Sequence, residues 1–170
     1  MFTRKVTGLE PAKLHPSSQA VNDILAATGL PGRVRILAEP APTAAAAARQ
    51  LGCPVGAIAN SLIFASSDDE PVLIMTSGRH RVDLDRVRED HGLELHRASA
   101  AFVRAHTGQP IGGVAPIGHP RPLRTLVDRA LAEYEQLWAA GGVPHAVFPL
   151  TYPDLLLLTN GVEADVASPH

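Results

Sequence analysis

A single cysteine, Cys53, stands in the 170 residues. One cysteine cannot form an internal disulfide, and without a Cys-x-x-Cys there is neither a dithiol redox centre nor a thiolate zinc site. Such a chain suits a reducing compartment. Aromatic residues make up only 4%, so alanine, valine, leucine and isoleucine must build most of the core. No apolar run nears the roughly 20 residues that cross a bilayer; the longest local one, Leu155–Leu158, is far too short. The opening Met1–Val6 has no apolar centre of the kind a secretory signal needs. A cytoplasmic location and no membrane partner are therefore expected. An excess of one charge is also missing, the formal net charge being −2. A protein that coats nucleic acid is usually basic, so DNA is not expected as a partner. Contact with the end of an RNA needs only a local basic patch.

Familiar catalytic signatures are absent as well. There is no His-Glu-x-x-His, no Gly-x-Ser-x-Gly elbow and no Walker loop. The eight histidines are scattered, and no metal site is expected.

What is present reads as one domain over residues 1–170, of a size that buries a single core, with loose ends before about residue 13 and after Ala164. Ser17 or Ser18 can cap a helix whose Val21, Ile24, Leu25 and Thr28 follow helical spacing, with Gly29 to end it. Arg33–Leu37 alternates as a half-buried strand does. Thr43 opens an alanine-rich helix that Gly52 can stop. Ser61–Ala65 and Val72–Thr76 predict two strands joined by a polar hairpin loop. Further helices are expected over Asp83–His91 and after the cap Ser99 to Gly108, with a short strand over Leu93–His96. Val127, Leu131, Tyr134 and Trp138 recur at helical spacing up to Gly141-Gly142. A strand over Ala146–Phe148 and a helix capped by Thr151 follow. Strands and helices mix without strict alternation, which places the chain in the α/β class with a mixed sheet.

The most unusual segment is Ile111-Gly112-Gly113-Val114-Ala115-Pro116-Ile117-Gly118-His119. Paired glycines let main chain approach a ligand and present open N–H groups, which can hold the oxyanion of an acyl transfer; a wide surface turn has the same composition. Gly141-Gly142 before His145, and Thr76-Ser77-Gly78 after a strand, read by themselves as turns. Cys53, in Gly-Cys-Pro, reads as a packed structural thiol and not a nucleophile.

Taken together, four segments resemble a known family: Val55–Phe64, Leu73–Gly78, Thr107–His119 and Ala140–Gly142. Their order and spacing are similar to those of the YbaK-type deacylases, relatives of the editing domain inserted in bacterial prolyl-tRNA synthetase. The resemblance runs from about residue 17 to 166. It implies a single α+β domain with a mixed, curved, partly barrel-like sheet surrounded by helices. The implied activity is release of a small, wrongly attached amino acid from the tRNA 3′ end, often of tRNA for proline. The implied partners are aminoacyl-tRNA and, in some cases, an aminoacyl-tRNA synthetase; no metal or organic cofactor is implied. By the same resemblance Asn60, Gly112 and Gly113 take the catalytic positions. Ser61, Thr76, Ser77, Gly78, Val114, Ala115, Pro116, Gly141, Gly142 and His145 would line the pocket. Arg79, Arg81 and Arg121, which flank the two pocket loops, are candidates for tRNA phosphate contacts, although most surface arginines are merely solvated. A strand near Leu126–Asp128, another leading into Gly141 and a shorter helix between them would replace the long helix that the spacing suggests.

Two departures stand out. The family's usual lysine is Asn60, and the usual serine before the loop proline is Ala115. Asparagine donates hydrogen bonds but brings no charge. Asn60 can position the substrate in a neutral way, a cation such as Arg79, Arg81 or Lys13 can replace the charge, or the chain binds an aminoacylated end without efficient hydrolysis. A hydrolase of other small acyl esters is a third class with the same features.

Overall fold

In a computed structural model, residues 13–168 are described. Five helices, α1 (Pro16–Ala27), α2 (Ala44–Leu51), α3 (Leu84–His91), α4 (Ala100–Thr107) and α5 (Tyr152–Thr159), pack on eight strands. The strands are β1 (Arg35–Ile36), β2 (Ile58–Ser66), β3 (Pro71–Ser77), β4 (Leu95–Arg97), β5 (Arg124–Asp128), β6 (Leu137–Ala140), β7 (Ala146–Leu150) and β8 (Val162–Ala164). They form one mixed sheet in the order β1-β7-β6-β2-β3-β5-β8, with β4 beside β2, and β1 and β8 are its open edges. The α/β class with a mixed sheet is as expected.

Local chemistry sets most helix ends. The side chains of Thr43, Asp83 and Ser99 accept from first-turn N–H groups of α2, α3 and α4, and Gly52, Gly92 and Gly108 close those helices with positive φ. Thr151 and Asp154 form a capping box on α5. The first helix begins earlier than expected: its cap is His15, whose Nδ1 accepts from Ser17 N–H at 3.0 Å, and not Ser17 or Ser18. Ser18 is buried instead and donates to the Gly141 carbonyl at 2.6 Å.

The spacing of Val127, Leu131, Tyr134 and Trp138 does not mark a helix. Val127 lies in β5 and Trp138 in β6, and a 3-10 turn over Arg129–Glu133 joins them. Both strands are buried on both faces, so their apolar runs carry no period of two. The chain after Ala164 is not loose: Val166 is fully buried and its carbonyl accepts from Asp83 N–H at 2.7 Å. The expectation for the first dozen residues lies outside the described residues.

Side-chain alternation along β3 divides the core. Leu73 and Met75 point to the face that α1, α5 and the Ile117 loop cover, through Val21, Leu25 and Leu155. Val72 and Ile74 point to the other face, where Val87 of α3 meets them. Beside α3 on that face, Ala47 and Ala48 of α2 pack on Ile58, Trp138 and Val147. Alanine's small side chain lets α2 lie close to the sheet.

Candidate active site

Along one edge of β2 the sheet is interrupted. Ile58 and Ala59 pair with β6, and Phe64–Ser66 pair with β4. Between them, Ser61, Leu62 and Ile63 have no strand partner on that edge among the described residues. A cleft of about 250 Å³ opens there. Its walls are α2 with the preceding turn, the exposed part of β2, the Ile111–Val114 loop and the β6–β7 turn. The lining is mostly small and apolar, including Ala44, Ala47, Ile58, Leu62 and Ala140; Asn60, Ser61 and Thr43 are the polar side chains. Among the described residues no titratable side chain lines the cleft.

The glycine loop is fastened from inside. Gln109, 2% exposed, accepts from Ala115 N–H through Oε1 at 2.7 Å and donates from Nε2 to the Ile117 carbonyl at 3.2 Å. His119 Nε2 lies 2.8 Å from the Ala115 carbonyl, a geometry that requires the proton on Nε2. Burial pushes the His119 pKa down, against the opposing pull of that hydrogen bond. Gly113 N–H donates to Pro110 at 3.0 Å. Two amides of the loop, those of Gly113 and Ala115, are thus already engaged. Among the described residues the amides of Gly112 and Val114 have no partner, and both residues line the cleft.

The paired glycines also serve packing. A Cβ on Gly113 would lie 2.4 Å from the Val143 carbonyl carbon and 2.6 Å from Pro144 N. Gly142, at φ +104°, donates its N–H to the Gly113 carbonyl at 2.9 Å. The loops of the two glycine pairs are therefore bonded to each other, and a side chain at Gly113 would part them.

Other expected site residues have different surroundings. Asn60 is exposed and faces Thr76 across the β2–β3 ladder. Thr76 is 1% exposed, and its hydroxyl has no hydrogen-bond partner among the described residues. Ser77 is buried, donating its hydroxyl to Gly56 and its N–H to Asp128. A Cβ on Gly78 would collide with Val55 and Ala44. None of these three lines the cleft, because β3 lies behind β2 when seen from the open edge. Ala115 and Pro116 are buried in the fastened part of the loop, Gly141 and Gly142 lie behind Ala140 and Pro144, and His145 is exposed outside the cleft.

The arginines lie elsewhere. Arg79 and Arg81 border a broad depression of about 700 Å³ beyond the C-terminal ends of β3, β5 and β8. It is larger than the cleft, but its charges are mostly paired, Arg79 with Glu133 and both Arg86 and Arg129 with Asp165. At its floor the buried Asp128 accepts from Ser77 N–H, Ala130 N–H and His80 Nδ1, a hub that secures the ends of β3 and β5. Sequence reasoning passed over Asp128 because its partners are distant in the chain. Arg121 borders a third hollow beside His119. Cys53 is half-buried, and burial pushes its thiol pKa up, which keeps it protonated. Among the described residues no three His, Cys, Asp or Glu side chains converge as a metal would need, and no helix is long and apolar enough to cross a membrane.

A small apolar cleft with free amides can hold an acyl group and its developing oxyanion. Comparison with known proteins identifies the family. The profile of the aminoacyl-tRNA editing domain matches residues 38–158. A crystal structure of a protein proposed as a trans-editing enzyme for prolyl-tRNA synthetase superposes with a TM-score of 0.85 at 38% identity, over 92% of this chain and 99% of that one. A second structure, of the hypothetical protein APE2540, gives 0.80 at 30% identity, over 88% and 99%. The proposed Cys-tRNA(Pro)/Cys-tRNA(Cys) deacylase EbsC of Enterococcus faecalis is 24% identical over 127 residues, 74% of this chain and 77% of its own. Proline–tRNA ligase of Burkholderia mallei is 27% identical over 136 residues, 77% of this chain but 22% of the ligase. The chain belongs to the aminoacyl-tRNA editing domain family.

Proposed function

We propose that this protein hydrolyses the ester of mischarged aminoacyl-tRNA, releasing a small uncharged amino acid from the tRNA 3′ end. The observation that carries the reading is the pair of free amides, Gly112 and Val114, on the wall of a small apolar cleft that Asn60 also lines. The acyl group enters the cleft and water or the vicinal ribose hydroxyl attacks its carbonyl. The two amides take the oxyanion, each worth about 10²–10³ in rate where such donors have been removed. Asn60 orients the substrate as a neutral hydrogen-bonding side chain. Arg79 and Arg81 border a separate depression, so they do not replace a lysine inside the cleft. They and Arg121 are candidates for contact with tRNA phosphates outside it. The amino acid removed, the tRNA for proline and a synthetase partner belong to this reading by family.

The second reading is a binding module that holds an aminoacylated end without turnover. It is favoured by one observation, the uncharged cleft where the family carries lysine. Deacylation of tRNAs carrying alanine, serine, threonine, cysteine and proline separates the two. Turnover of one ester, cut at least tenfold by Asn60→Ala, is the expected result. Binding without turnover in the wild type, with activity created by Asn60→Lys, would establish the binding module instead.

A further inference from the structure

The cleft offers main chain as well as side chains. Along β2 the residues alternate in the edge their N–H and C=O face. The Ile58 carbonyl accepts from Gly78 N–H and Ser66 N–H donates to Glu70, both towards β3. Even-numbered residues of β2 therefore bond β3, and Ser61 directs its N–H and C=O to the opposite edge. There β6 has left the strand at Ala59 and β4 joins only at Phe64. Ser61 also lines the cleft. Its hydroxyl is engaged with Met75 Sδ at 3.3 Å on the neighbouring strand, so what it offers the cleft is its peptide groups. An unpaired N–H and C=O at a strand edge form a template for another extended main chain.

We propose that the Ser61 main chain is the α-amino recognition element of the cleft. An α-aminoacyl ester has a donor and an acceptor spaced as in a peptide residue, its ammonium and its acyl oxygen. The ammonium donates to the Ser61 carbonyl, and the acyl oxygen accepts from Ser61 N–H while its second lone pair faces the loop amides. Among the described residues no carboxylate lines the cleft to bind the ammonium. The substrate class that fits is a small acyl ester with a free α-amino group, read as one further residue of the sheet. This rests on the editing reading and goes further by assigning what holds the amino group.

Two measurements test it. In the wild type, amide NMR follows titration with 3′-alanylamino-3′-deoxyadenosine, a stable amide analogue, against 3′-amino-3′-deoxyadenosine without the acyl group. The Ser61 N–H is expected to shift and to exchange more slowly with the acylated analogue only. In parallel, kcat/KM for alanyl-tRNA and for propionyl-tRNA, which lacks the amino group, are each divided by the spontaneous hydrolysis rate. A preference of about tenfold to hundredfold for alanyl is expected for a lost charged hydrogen bond. Ser61→Pro deletes the N–H without touching the β3 ladder and should weaken analogue binding about tenfold; the wild-type measurements stand if that variant fails to fold. A Ser61 amide that stays unmoved at saturation while Gly112 and Val114 respond would overturn the inference and leave the editing reading intact. So would equal normalised rates for the two esters, or an analogue that does not bind. A wild type that binds the analogue through Ser61 but hydrolyses no aminoacyl-tRNA would sink the enzymatic reading and keep the inference.

Discussion

The side-chain oxygen of Gln109 accepts from the N–H of Ala115 at 2.7 Å, inside the loop that carries the free amides. With the bond from its Nε2 to Ile117, this buried amide sets the loop's path. Gln109→Met keeps the volume and removes both bonds. The unpaired buried groups should cost about 1–3 kcal/mol, a fall in Tm of roughly 2–12 °C. If the loop amides hold the oxyanion, kcat should fall about 10²-fold with KM little changed. Thermal melts and deacylation kinetics check the two parts separately.

The two loop glycines should respond differently to alanine. Gly112 has φ +89° and open space where a Cβ would stand, so Gly112→Ala should cost about 1–2 kcal/mol through backbone strain alone. Gly113→Ala meets main chain at Val143 and Pro144. It should cost about 1–3 kcal/mol and, by parting the two loops, lower kcat/KM about 10²-fold further than Gly112→Ala. Urea unfolding and deacylation of both variants give the comparison.

Among the described residues no side chain lining the cleft titrates, so in the proposed reaction the rate should follow hydroxide. Between about pH 5.5 and 7, below the range near 7.7–8.0 where a free α-amino group titrates, log kcat/KM should rise linearly with a slope of one. An inflection within that window would reveal an acid or base supplied from outside the cleft lining.

His119 links stability to pH. Burial lowers its pKa in the folded chain, so the unfolded chain binds the proton more readily. Its contribution is fully present above the unfolded value of about 6.5 and is lost as pH falls through the lower folded value. Urea midpoints should decline below pH 6.5 in the wild type and decline less in His119→Gln, which keeps a donor for Ala115 but does not titrate.

The helix limits are legible because caps are local. Thr43 with Gly52, Asp83 with Gly92 and Ser99 with Gly108 each place cap, period and stop within a dozen residues. The cap of α1 is not legible because histidine is an uncommon cap. The strands β5 and β6 show only through the family resemblance, which places strands near Leu126–Asp128 and before Gly141; the spacing hides them because Val127, Leu131 and Trp138 recur like a helix while serving two buried strands and a turn. The edge strand β8, parallel to β5, is three residues long and pairs with a strand more than thirty residues earlier. At the site, family spacing brings Asn60, Ser61, Gly112 and Val114 into view, and all four line one cleft. It cannot show that Gly113 is needed for contact with Val143, or that Gln109 engages the Ala115 amide. Those facts depend on which main-chain groups meet after folding.

The bond from Gly142 N–H to the Gly113 carbonyl has an evolutionary consequence. It joins the two loops through main chain, so as long as Gly113 and the Gln109 fastening are kept, their spacing does not depend on the side chains that border the acyl space. Ala44, Ala47, Ile58 and Leu62, on α2 and β2, border the same space without taking part in that bond. Acyl preference can therefore drift by single substitutions at these four positions while the apparatus that meets the ester is inherited unchanged.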